Sequence, residues 1–101
     1  MSEWTEVCIV GQLKDGDMKM CKVKGHEILL ARVGDSYHAS HNRCPHMGGL
    51  LSGGKLKGTI VTCPRHGSQF DLIDGSVVRK PAGPLHIYDV KVEDDNILVD
   101  I

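Results

Sequence analysis

Short apolar or alternating runs, broken repeatedly by Gly, Asp and Asn, commit this chain to a β fold. Strands are expected over 4–10, 18–24, 27–33, 36–40, 59–62, 69–73, 76–79, 86–92 and 97–101. Gly34-Asp35 and Asp94-Asp95-Asn96 have the composition of hairpin turns, and Asp74-Gly75, between Leu72-Ile73 and Val77-Val78, is the strongest hairpin signal. Over 86–92, Tyr88, Val90 and Val92 alternate with Asp89, Lys91 and Glu93, so one face should be buried and the other wet. No long helix is required. Twelve glycines and only four aromatic side chains suit a turn-rich all-β chain better than a helix bundle.

At 101 residues this is one domain's worth of chain. Hydrophobic residues at 41% and charged residues at 25% exclude a disordered polymer. No apolar run approaches the ~20 residues that cross a bilayer, so no membrane partner is expected. The opening Met1-Ser2-Glu3-Trp4-Thr5-Glu6 is polar and acidic, unlike a secretory leader, so a soluble, cytoplasmic protein is expected. A net charge of −1 makes no case for nucleic acid.

The four cysteines are unlike one another. Cys8, in Val7-Cys8-Ile9-Val10, and Cys21, beside Met20 and Val23, sit in strand-like runs with no histidine at ligand spacing. Both read as small core hydrophobes. Cys44 and Cys63 each stand beside a proline and a histidine in loop-like stretches, 41–49 and 63–68. A third loop, Lys80-Pro81-Ala82-Gly83-Pro84, is stiffened by two prolines. All three loops are expected at the surface. In a cytosolic chain a disulfide set is the weaker reading of these cysteines.

The spacing is Cys44-x-His46, sixteen residues, then Cys63-x-x-His66. Two soft thiolates and two imidazoles on two short loops make a metal site. Structural zinc in a Cys2His2 set is one reading. Zinc fingers, however, usually pair Cys with Cys and His with His, whereas each loop here offers one of each.

A Cys-x-His loop and a Cys-x-x-His loop, each followed by glycine, resemble the Rieske 2Fe-2S family. The resemblance is strongest from about residue 40 to Phe70-Asp71 and continues through the proline loop at 81–84. It implies a Rieske-like antiparallel β-sandwich over 1–101, with a small cluster-binding subdomain at about 41–69 formed by two loops. It further implies one 2Fe-2S cluster, with Cys44 and Cys63 on the inner iron and His46 and His66 on the outer one. Ser68, and Pro81 in the covering loop, would stand around the cluster. Two histidines in place of two cysteines leave the oxidised cluster neutral, which raises its potential to roughly −150 to +300 mV against about −400 mV for plant-type ferredoxins.

Departures from the family refine this. High-potential Rieske proteins carry an extra cysteine on each loop, joined as a disulfide; Gly49 and Arg65 occupy those positions. The family's tyrosine two residues after the serine is Phe70, without a hydroxyl for a ligand sulfur. Both departures point to the low end of the Rieske range. The chain is therefore similar to the small Rieske ferredoxins of multicomponent oxygenases. By that resemblance it is an electron carrier, not an enzyme. It would accept an electron from a flavin-dependent NAD(P)H reductase, deliver it to a terminal oxygenase, and work as a monomer. The small subunit of nitrite reductase is the nearer alternative; a zinc-bound or metal-free interaction domain is the alternative of another class.

Residues 41–69 contain Arg43, Lys55, Lys57 and Arg65 and no Asp or Glu, while the rest of the chain is acidic. A basic cluster-binding region would attract an acidic partner surface. Of the other histidines, His41, three residues before Cys44, and His86, after the proline loop, are placed where they could approach the cluster but are not expected as ligands; His26 is expected at a surface turn and His38 packed on a strand.

Overall fold

The computed structural model describes residues 3–45, 49–65, 67–79 and 84–101. Eleven strands run through them: β1 (Trp4–Ile9), β2 (Met18–Val23), β3 (His26–Val33), β4 (Ser36–His41), β5 (Lys55–Lys57), β6 (Ile60–Thr62), β7 (Gln69–Asp71), β8 (Val77–Arg79), β9 (Ile87–Tyr88), β10 (Val90–Glu93) and β11 (Asn96–Asp100). They form three antiparallel sheets ordered β1-β11-β10, β2-β3-β4-β9 and β5-β6-β7-β8.

The central sheet separates two apolar cores, and β3 shows how. Ile28, Leu29, Leu30 and Ala31 are all fully buried, although successive strand side chains point to opposite faces. Ile28 and Leu30 join Cys8, Cys21, Ala39, Ile97 and Val99 in the basal core. Leu29 and Ala31 join Leu51, Val61, Phe70, Leu72 and Leu85 in the second core, with Cys44 and Cys63. A strand buried on both faces reads as a continuous apolar run, which is why 28–31 does not alternate. Each such Ile or Leu side chain contributes about 1.5–3 kcal/mol by leaving water.

Tight turns set the registers. Lys24-Gly25 joins β2 to β3 with both residues at positive φ (51° and 81°), and Asp94-Asp95 joins β10 to β11 in the same way (51° and 64°). These primed turns match the right-handed twist of the strands they connect. Gly34-Asp35 closes the β3–β4 hairpin as expected, with Gly34 at φ 61°.

Three sequence expectations need correction. Strand β5 was not foreseen: Lys-Leu-Lys is too short and polar to signal a strand, and it forms by pairing with β6. The expected strand 86–92 is two strands, because the chain changes sheets at Asp89: β9 pairs with β4, and β10 with β11. Val92 is 49% exposed, so the alternation does not bury it. The Asp74-Gly75 hairpin exists, but its turn is wider than the dipeptide. The Asp71 N–H donates to the Ser76 carbonyl and the Ser76 N–H to Asp74 Oδ1, each at 2.9 Å, so the strands end at Asp71 and resume at Val77. Gly75, at φ 79°, faces the chain leaving the proline-containing loop. Its carbonyl accepts from the Leu85 N–H at 2.9 Å, and a methyl there would collide with the Leu85 carbonyl oxygen.

Candidate metal centre

The two loops that carry the candidate ligands are built as the same knuckle. The first leaves β4 through Asn42 and Arg43. Arg43 and Leu50 form an antiparallel bridge, and the Cys44 N–H donates to the Gly49 carbonyl at 2.8 Å. The second joins β6 to β7, and there the Cys63 N–H donates to the Ser68 carbonyl at 2.8 Å. In each, the cysteine stands at the foot of the loop with its amide closed on the carbonyl five residues ahead. Gly67, at φ 74°, supplies the turn of the second knuckle and donates its N–H to the Cys63 carbonyl at 3.2 Å.

Asn42 anchors the first knuckle, a role that sequence reasoning missed. It is fully buried. Its Oδ1 accepts from the Ser52 N–H at 2.8 Å, its Nδ2 donates to Ser52 Oγ at 3.0 Å, and its backbone carbonyl accepts from Leu51 N–H at 2.8 Å. An amide side chain supplies both a donor and an acceptor, so one residue holds the returning chain on two sides. The only signal was a polar residue between a strand and a Cys-Pro pair.

The knuckles bring Cys44 and Cys63 into one core, at 3% and 2% exposure, and neither is in a disulfide. The loops touch: a methyl on Gly49 would lie 3.1 Å from Cys63 Sγ. Buried thiolates are costly unless a cation neutralises them, so a sulfur pair on two closed loops fits a metal held from inside. Ser68 is fully buried at the end of the second knuckle, and Phe70 is fully buried behind it. His46, His66 and Pro81 lie outside the described residues. Beside the second knuckle, a cleft of about 360 Å³ is lined by Gly54, Lys55, Thr62, Cys63, Pro64 and Gly67, among others.

The other cysteines sit across the central sheet in the basal core, as their apolar contexts suggested. Cys8 Sγ donates to Gln12 Oε1 at 3.2 Å. Burial, and secondarily Cys8, pushes the Cys21 thiol above its ordinary pKa. His41 and His86 meet where the chain leaves and re-enters the central sheet: their rings stack at 4.7 Å, and the His41 N–H donates to the His86 carbonyl at 3.0 Å. Tyr88 meets His86 edge-on at 4.7 Å. Desolvation first, then His86 and His26, lowers the His41 pKa. The basic segment is partly offset, since Arg43 pairs with Glu27 of β3 at 3.1 Å; Lys55, Lys57 and Arg65 are exposed.

The Rieske [2Fe-2S] domain family matches residues 3–89. The chain belongs to the Rieske family. The ferredoxin component of biphenyl 2,3-dioxygenase from Rhodococcus jostii (strain RHA1) is 34% identical over 98 residues, covering 96% of this chain and 92% of the relative. The ferredoxin of carbazole 1,9a-dioxygenase from Nocardioides aromaticivorans IC177 superimposes with a TM-score of 0.93 at 33% identity, covering 98% of each chain. A complex of reduced oxygenase and oxidised ferredoxin in carbazole 1,9a-dioxygenase contains a chain matched at TM-score 0.90 and 29% identity, over 96% of this chain and 92% of that one. A protein described as an NADH-dependent nitrite reductase small subunit, from Mycobacterium tuberculosis, matches at TM-score 0.90 and 28% identity, over 100% of this chain and 96% of its own. The Rieske domain carries one 2Fe-2S cluster as its cofactor. The first two proteins named are ferredoxin components, the electron carriers of their systems rather than the catalysts. Among the described residues no helix is long and apolar enough to cross a membrane.

Proposed function

We propose that this Rieske protein carries one electron at a time from a flavin-dependent NAD(P)H ferredoxin reductase to a terminal oxygenase. Cys44 and Cys63 hold the inner iron of the cluster, and His46 and His66 the outer one. The observation that carries the reading is the pair of equivalent knuckles, which place two buried sulfurs in one core from two loops of the expected Cys/His spacing. With two imidazole ligands, the bound cluster accepts an electron at a higher potential than an all-thiolate one. The chain's own part is to exclude water from the cysteine side and to present the histidine side on loop residues. Pro45, Pro64 and Arg65, beside those histidines, are exposed and available to a partner. The cluster-binding subdomain is taken as about 41–69 of a single 1–101 domain, and the protein as a cytoplasmic monomer.

The likeness to the nitrite reductase small subunit supports a second reading, service to a larger reductase. The test is EPR of the dithionite-reduced protein with iron and sulfide analysis, followed by reconstitution. Two irons and two sulfides per chain, the EPR signature of a histidine-ligated cluster, and stimulated oxygenase turnover are expected. A colourless protein from anaerobic, iron-replete preparation would end the carrier reading. Obligate co-purification with a nitrite-reducing subunit would favour the second.

A further inference from the structure

Arg65 stands on the second ligand loop between Pro64 and His66, and its aliphatic stem leans on the first. A methyl on Gly49 would lie 3.1 Å from Arg65 Cγ, 3.1 Å from Arg65 Cδ and 3.1 Å from Cys63 Sγ. Three atoms from the second knuckle thus converge on the bare Cα of a residue in the first. Since Cδ and the sulfur are equally far from one point, they are separated by at most twice that distance. The guanidinium begins one bond beyond Cδ. No carboxylate within 41–69 neutralises it, and among the described residues Arg65 forms no ion pair.

We propose that Arg65 is a positioning residue with two separable actions. Its stem straps the two ligand loops together across Gly49, and its charge is thereby held beside the sulfur side of the cluster. The inference rests on the Rieske reading of Cys44 and Cys63. The strap follows from packing: apolar carbons of a long cationic side chain cover neighbouring surface while the head stays in water. Glycine at 49 is what admits them. The electrostatic action follows from sign. Reduction adds a negative charge to the centre, and a fixed positive charge nearby favours the reduced form. Because the head group is solvated, the expected effect is that of an exposed charge pair, roughly two- to fivefold in the reduction equilibrium.

The two actions separate by substitution. Arg65→Gln keeps Cγ and a carbon at the Cδ position, there the amide carbon, and removes the charge. Arg65→Lys keeps both. Arg65→Ala removes both. The readouts are the midpoint potential by protein-film voltammetry and the rate of cluster bleaching under an iron chelator, each on holoprotein with its EPR spectrum recorded.

We expect Arg65→Gln to have a lower potential by that two- to fivefold factor and an unchanged bleaching rate. Arg65→Ala should share the lower potential and bleach several-fold faster, while Arg65→Lys should match the parent in both. Gly49→Ala, whose methyl crowds the stem and the sulfur at 3.1 Å, should also bleach faster. An unshifted potential in Arg65→Gln with an intact EPR signal overturns the electrostatic action. Parent-like bleaching in Arg65→Ala overturns the strap. A parent protein that holds no cluster at all would instead overturn the Rieske reading of the ligands, a result visible before any variant is made.

Discussion

Phe70 and Ser68 decide how the second knuckle treats a neighbouring sulfur. Ser68 brings a buried hydroxyl, whereas Phe70 brings a fully buried ring with none. Hydrogen bonds to cluster sulfurs stabilise the reduced, more negative state. Ser68→Ala should therefore lower the midpoint potential in voltammetry, and an unchanged value would mean that the hydroxyl serves only the loop. Phe70→Tyr, the swap toward the family's tyrosine, should raise it. The Cys/His spacing was readable from sequence because soft ligands at fixed offsets have few other uses. Asn42 was not, because its two bonds to Ser52 exist only once the loop has closed.

Gly75 tests the hairpin that supports the second core. A methyl there collides with the Leu85 carbonyl oxygen, and the positive φ adds backbone strain. Gly75→Ala should cost about 2 kcal/mol or more in urea unfolding; a loss within about 0.5 kcal/mol would show that the 84–86 segment simply moves aside. At this scale sequence reasoning found β1 to β4 nearly whole, since each carries its own apolar pattern and turn. It missed β5 and the break at Asp89. Those features depend on which strand lies alongside: β5 exists through β6, and the break exists because β9 and β10 pair with different sheets.

Two properties belong to the molecule as a whole. His38 and His41 are both lowered from their ordinary value of 6.5, chiefly because partial desolvation disfavours the charged imidazole, although His41 keeps an exposed face. For His38, Asp71 opposes the shift; for His41, His86 and His26 add to it. The unfolded chain therefore binds protons at a higher pH than the folded one, and stability rises with pH through this window. The melting temperature should fall as pH drops below about 6.5, and His38→Gln with His41→Gln should flatten that slope. The exposed cations Lys55, Lys57 and Arg65 should make electron delivery to an oxygenase slow with added salt, and a salt-indifferent rate would remove the acidic-partner idea.

The chain leaves the central sheet at His41 and comes back at His86, where one backbone bond and two stacked rings join exit to entrance. The four proposed cluster ligands, Cys44, His46, Cys63 and His66, all fall within that detour. In polymer terms its ends are already tied, so extra length in its exposed turns costs little: doubling a flexible loop costs only about 0.6 kcal/mol in closure entropy. Insertions at its exposed turns, such as Gly58 between β5 and β6, should leave the host sheet intact. A deletion that removes Leu51, Val61, Phe70, Leu72 or Leu85 would instead uncover Leu29 and Ala31 of β3, so a transplanted detour needs a host strand that is apolar on that face.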